Sequence, residues 1–258
     1  MTNSTTYADI CVARAMLKTL GLPTEIVLEI LDYAEYVPVL KFTDAGMRRC
    51  VARMGDGMVA QLCLDADVLT QSTIRTLKAS KVKTKVQGLC FDFTSCDQGW
   101  TSEGTQGSFN TSSWLEVSIL RPEDPAKDLA VSKQFLSEGK GTAEDLQRAM
   151  EGTGAMFVKR AVGLEKGPQV GEAPIAWYLQ GNCVSSDVRH YRVAWERFGE
   201  LGNERSENEE SGSGPGTGLV ATLREGDKVL VWARAKYPGW KCTVVNIEMT
   251  VRYRFEEG

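Results

Sequence analysis

The chain has a single histidine, His190, so any serine or cysteine nucleophile activated by an imidazole would have to use it. Ser185, Ser186 and Asp187 precede it closely, but a strand sends neighbouring side chains to opposite faces, and His190 falls opposite Tyr191, Val193 and Trp195. The expectation is an exposed strand residue outside any triad. The carboxylate pairs Glu123–Asp124 and Glu209–Glu210 lie in polar stretches with nothing nearby in sequence to drive their pKa values apart, so both read as solvated. Gly212, Gly214, Gly216 and Gly218 are spaced like a phosphate-binding loop, yet no Gly-Lys-Ser/Thr and no helix pattern follows, which makes the stretch linker composition. The seven cysteines, at 11, 50, 63, 90, 96, 183 and 242, are scattered and contain no Cys-x-x-Cys. That pattern points to reduced thiols packed as small apolar groups rather than to a disulfide framework or a zinc site. The expectation is a protein without cofactor or metal that binds rather than catalyses.

Binding chemistry has better candidates. Tyr237-Pro238-Gly239-Trp240 reads as a turn between two strands, with proline presetting one dihedral and glycine free to adopt a positive one. Trp100 sits beside Asp97 and Gln98 in another connecting stretch. Indoles gathered at one end of a sandwich would offer a flat surface for a sugar ring or a peptide, with Asp97 and Gln98 supplying hydrogen bonds. Trp114 and Trp232 lie inside strand patterns and read as core.

At 258 residues, with 42% hydrophobic and 25% charged side chains, the chain can bury a sizeable core. A net charge of -4 provides no global field for nucleic acid. No stretch approaches the ~20 apolar residues of a membrane helix, and Met1 to Asp9 lack the form of a secretory signal. The expected location is therefore cytoplasmic or nuclear, and the Asn-x-Ser/Thr triplets at Asn3 and Asn110 read as chance.

The elements that would position these residues follow from periodicity. Ile10, Ala13, Leu17 and Leu20 recur at helical spacing up to Gly21, and Ile26, Val27, Ile30, Leu31 and Ala34 form a second apolar face after Pro23 and Thr24. From about Met58 the period becomes two. Val245, Ile247, Met249, Val251, Tyr253 and Phe255 alternate with polar residues, as do Leu89, Phe91 and Phe93, Leu115, Val117 and Ile119, and Tyr191, Val193 and Trp195. Further strands are expected at 59–64, 175–180 and 228–235. The basic run Lys78, Lys81, Lys83, Lys85 reads as one solvated face of a strand. A helical insertion is expected between Leu120 and Phe157, with Thr142 and Asp145 as a capping pair, and a mobile Gly/Ser/Glu-rich loop at 202–218. The expectation is a mainly β chain of two packed antiparallel sheets, with a helical segment at 1–54 and the sandwich at 55–258.

Leu22-Pro23-Thr24-Glu25-Ile26 followed by Ile30-Leu31 resembles the opening of an F-box. The resemblance implies docking on a Skp1-type adaptor, with Leu22, Pro23, Ile26, Ile30 and Leu31 supplying apolar contact and Glu25 a polar one. A ubiquitin ligase would then receive a protein or glycoprotein client through the sandwich. The match covers only the first half of the motif; Met47-Arg48-Arg49-Cys50 stands where a third helix would end. A longer set, Asp97-Gln98-Gly99-Trp100, Gly107-Ser108-Phe109, Ser113-Trp114-Leu115-Glu116 and the run from Gly226 to Trp240, resembles a group of poorly characterised fungal proteins. Their C-terminal module resembles a galactose-binding-like, jelly-roll or F-box-associated β-sandwich, which implies a fold and no catalytic residues. Carbohydrate binding of the lectin kind, without any ubiquitin role, is the alternative.

Overall fold

A computed structural model describes residues 5–79, 82–125, 147–148, 150–161, 174–197 and 211–256. Two helices come first, α1 (Tyr7–Lys18) and α2 (Thr24–Tyr33). Thr6 and Asp9 form a reciprocal capping box at the start of α1, and Gly21, at φ 77°, provides the left-handed residue that turns the chain toward α2. Then come β1 (Val39–Asp44), β2 (Arg48–Val51), β3 (Val59–Ala66), α3 (Gln71–Thr76), β4 (Lys83–Cys96), β5 (Ser113–Pro122), β6 (Ala155–Phe157), β7 (Trp177–Gly181), β8 (Arg189–Glu196), α4 (Leu219–Thr222), β9 (Lys228–Ala235) and β10 (Lys241–Glu256).

The strands make two antiparallel sheets. Sheet A runs β1-β10-β4-β8, with β2 sharing the β1 edge of β10. Sheet B runs β3-β9-β5, and β6 and β7 both pair with the far edge of β5 at its two ends. Between the sheets lies one core, including Phe91, Phe93, Trp195, Val231 and Tyr253. A mainly β chain built as an antiparallel sandwich is what the alternation predicted. No helix among the described residues is long and apolar enough to cross a membrane.

Four details depart from the expectation. The proposed boundary after residue 54 runs through the sandwich, because β1 and β2 belong to sheet A: Leu40 lies opposite Val251 and Phe42 opposite Met249. Six alternating residues directly after a helix were too short a signal to separate from it. Second, Val245 does not share a face with Ile247. A bulge between Val244 and Asn246 absorbs one residue, so Cys242 and Val244 point inward before the bulge, Ile247, Met249, Val251 and Tyr253 after it, and Val245 is turned to solvent.

Third, the part of the expected mobile loop that is described, 211–218, is a packed strap. Trp195 Nε1 donates to the Gly214 carbonyl at 2.8 Å, Trp177 Nε1 to the Thr217 carbonyl at 2.9 Å, and the Gly214 amide to the Leu179 carbonyl at 2.9 Å. Its glycines are a packing requirement: a Cβ on Gly216 would stand 2.1 Å from the Trp195 ring. The remainder, 202–210, lies outside the described residues, as do Thr142 and Asp145 of the expected helical insertion. Fourth, α3 was not anticipated. It places Ile74 in the core, with Leu77 just beyond its C-terminus.

Candidate functional site

The turn residues gather at one end of the sandwich because β4, β7 and β9 finish there and β5, β8 and β10 start there. The loop after β4 and the loop after β7 are bolted together: the Gly107 amide donates to the Val184 carbonyl, and the Val184 amide to the Ser108 carbonyl, each at 2.9 Å. Gly99, at φ 87°, lies so close that a Cβ would meet Ser186 at 2.7 Å, and no other residue fits there.

Each expected ligand residue has a definite place. Trp100 is the exposed indole, 62% accessible, and its ring end lies over the next turn, 3.9 Å from where a Cβ on Gly239 would be. Tyr237, on that turn, is 49% accessible, and the Lys236 ammonium stands 5.2 Å from its ring centre. Gln98 works inward. Its Oε1 accepts from the Lys241 amide at 3.1 Å and its Nε2 donates to the Trp100 carbonyl at 2.8 Å, fixing the Trp100 loop to the start of β10.

Asp97 and Trp240 correct the expectation of ligand contact. Asp97 is buried and caps its own loop, accepting from the Gly99 amide at 2.6 Å. Burial raises its carboxyl above the usual range, while the Gly99 and Ser185 amides and Lys241 pull it down. Trp240, 7% accessible, turns into the main core, because it stands directly before β10 in phase with the inward-facing Cys242 and Val244. The sandwich end therefore presents one indole and one phenol, with Ser102, Glu103 and Gln106 exposed on the same loop as Trp100. As expected, Trp114 and Trp232 are fully buried.

Beneath this end lies a polar knot that sequence reasoning missed. Ser95 donates to Asn182 Oδ1 at 2.6 Å, and Asn182 Nδ2 donates to Ser113 Oγ at 2.7 Å and to Cys242 Sγ at 3.3 Å. These residues tie β4 and β10 of sheet A to β5 of sheet B. Isolated polar residues at strand ends carry no pattern in sequence that would pair them.

His190 is exposed, as expected, and its Nε2 lies 2.7 Å from Asp92 Oδ1 on the adjacent strand, while Ser185 Oγ donates to Asp187 at 3.2 Å. The serine and the histidine thus have separate partners. On the helical hairpin, Val27 is buried, whereas Ile26 and Ile30 are 40% and 39% accessible, Pro23 and Glu25 are exposed, and Leu22 and Leu31 are half-buried.

No family model matches the chain, and no curated protein matches it. Among solved structures, the decameric BFDV capsid protein is similar over 85% of this chain and 99% of its own, at 11% identity and a TM-score of 0.30. Basic winged bean lectin with Tn-antigen is similar over 85% of this chain and 100% of its own, at 7% identity and a TM-score of 0.27. A Maize Chlorotic Mottle Virus structure covers 85% of this chain and 94% of its own, at 11% identity and a TM-score of 0.19. Scores this low carry no functional argument, and the sandwich stands on its own strand pairing.

Proposed function

We propose that the chain is a non-catalytic binding protein whose ligand face is the sandwich end around Trp100 and Tyr237, and that its ligand is a carbohydrate. One observation carries this: of six tryptophans, five are buried and only Trp100 is left in water, on a loop held in place by Gln98 and by the loop after β7. An exposed indole on a braced loop gives a sugar ring an apolar face to stack on, and Ser102, Glu103 and the side-chain oxygen of Gln106, whose Nε2 donates to the Gly99 carbonyl at 2.9 Å, offer partners for its hydroxyls. A glycan array probed with the full chain and with Trp100→Ala tests it. Binding by the wild type that the variant loses supports the reading, and an array on which the wild type binds nothing removes it.

A second reading is favoured by the helices. α1 buries none of its side chains and α2 only Val27, so Ile26, Ile30 and Tyr33 form an open apolar stripe flanked by Glu25, Glu29 and Asp32. That arrangement fits an adaptor of the F-box kind, docking by this stripe on a Skp1-type protein while the sandwich presents a client. Co-purification with such a partner, lost in the double variant Leu22→Ala with Ile30→Asp, would support it. Equal recovery of the partner by both proteins would exclude it.

A further inference from the structure

Three buried thiols, Cys50, Cys63 and Cys242, stand together in the core at the end of the sandwich below Trp100. Cys50 on β2 and Cys242 on β10 are directly opposed in the register, and both are buried. Directly opposed residues of an antiparallel pair have Cα atoms about 4.5–5.5 Å apart, which lies inside the ~4.4–6.8 Å span that a disulfide bridges. Cys63 differs. It is the extra residue at a register shift between β3 and β9, it has no opposed cysteine, and its thiol donates to the Gln61 carbonyl at 3.5 Å.

We propose that Cys50 and Cys242 are a site of reversible oxidation, closing into a cross-strand disulfide that staples β2 to β10. The stapled segment backs the candidate ligand turn. Two residues beyond Cys50, the Ala52 amide donates to the Trp240 carbonyl at 3.0 Å and the Ala52 carbonyl accepts from Gly239 at 2.9 Å. Gly239 is the residue over which Trp100 lies. The bond thus fixes the frame on which Tyr237 and Trp100 are displayed. The inference does not depend on the identity of any ligand.

The chemistry balances with a two-electron oxidant such as hydrogen peroxide. The Cys242 thiolate attacks one peroxide oxygen, the O–O bond breaks, and water leaves after taking up a proton, so that Cys242 becomes a sulfenic acid. The Cys50 sulfur then attacks the Cys242 sulfur, the S–O bond breaks and a second water leaves, giving one S–S bond from two thiols. Cys242 is the better first thiolate because the opposed Cys50 thiol, and the Asn182 amide that donates to its sulfur at 3.3 Å, favour the anion against the cost of burial. Burial keeps Cys63 a thiol, its titration pushed far above the ordinary range, which makes it a bystander.

The test treats the folded full chain with hydrogen peroxide, blocks remaining thiols, and maps the digest by mass spectrometry with and without reductant. The expected result is a loss of two hydrogens per chain, one cross-linked peptide joining Cys50 to Cys242, release of that link by dithiothreitol, and an upward shift of the melting midpoint in the oxidised form. Cys63→Ser is expected to keep the link. A bond that includes Cys63, separate sulfinic or sulfonic acids on Cys50 and Cys242, or both thiols still free to alkylate would each overturn the proposal. Because the wild-type chain gives the decisive readout, no outcome depends on how a variant folds.

Discussion

Sheet A leaves its outer face in water, and sheet B buries both faces. Along β8 of sheet A, exposure alternates residue by residue from His190 onward, and Tyr191, Val193 and Trp195 point inward. Along β9 and most of β5 of sheet B every residue is buried, and a second apolar cluster of Leu62, Leu120, Met150, Phe157, Ile175, Leu230 and Trp232 covers part of the outer side. The consequence is electrostatic. On sheet A, polar outward residues such as His190 and Asp92 meet in solvent. On sheet B, polar residues on the outward side are trapped: Arg234 Nε donates to Glu116 at 2.6 Å, Trp114 Nε1 donates to the same carboxylate at 3.1 Å, and both members of the pair are almost fully buried. A pair of this kind has lost its hydration and is held by mutual satisfaction, so removing one partner leaves a buried charge uncompensated.

That contrast can be broken by substitution. Glu116→Ala or Arg234→Met alone is expected to lower unfolding stability in urea by about 3–5 kcal/mol, whereas replacing both by apolar residues of similar volume costs much less. Single variants that unfold at the wild-type midpoint would contradict the assignment of sheet B as closed on both sides. Gly216→Ala is expected to be the next largest, at about 1–3 kcal/mol, because the added Cβ strikes the Trp195 ring from a backbone at φ 64°. Its thermal midpoint would show whether the strap closes the sandwich beside β8. On the open face, Asp92→Ala or His190→Ala should change stability by no more than about 1 kcal/mol, since the pair is solvent-exposed. A loss comparable to that of Arg234→Met would erase the distinction between the sheets.

The smallest effect concerns pH. The Asp97 carboxyl titrates higher in the folded chain than in the unfolded one, chiefly through burial. In the interval between those two values the folded state holds more proton, so stability falls as pH rises through it. Asp97→Asn is expected to flatten that part of the stability profile, and identical slopes for the two proteins would show that the carboxyl is not perturbed.

Most of sheet A was legible because an open face writes its alternation into the sequence. β8 and the greater part of β10 could be read directly, and the phase error at Val245 arose because a single-residue bulge leaves no mark in composition. In sheet B the continuous apolar runs marked strands, with 228–235 read at its observed bounds, yet they concealed that Glu116 and Arg234 face each other on adjacent strands. β1, β2 and β6 are only three to six residues long and escaped notice for that reason. At the site, Trp100 and Trp240 looked equivalent as indoles beside turns. Their fates differ because Trp240 adjoins β10 in phase with its inward residues while Trp100 stays within its loop, a distinction set by strand register rather than by local residue type.

Trp100 is the one indole at the proposed ligand face, and collisional quenching of tryptophan fluorescence tests its role most directly. In the wild type, one emitting population should be open to iodide or acrylamide and the remainder shielded; Trp100→Ala should lose the open population with the fold intact, and a bound sugar should protect it. An accessible fraction that survives Trp100→Ala, or that a glycan retained by the protein leaves unprotected, would contradict the placement of the ligand at this end of the sandwich.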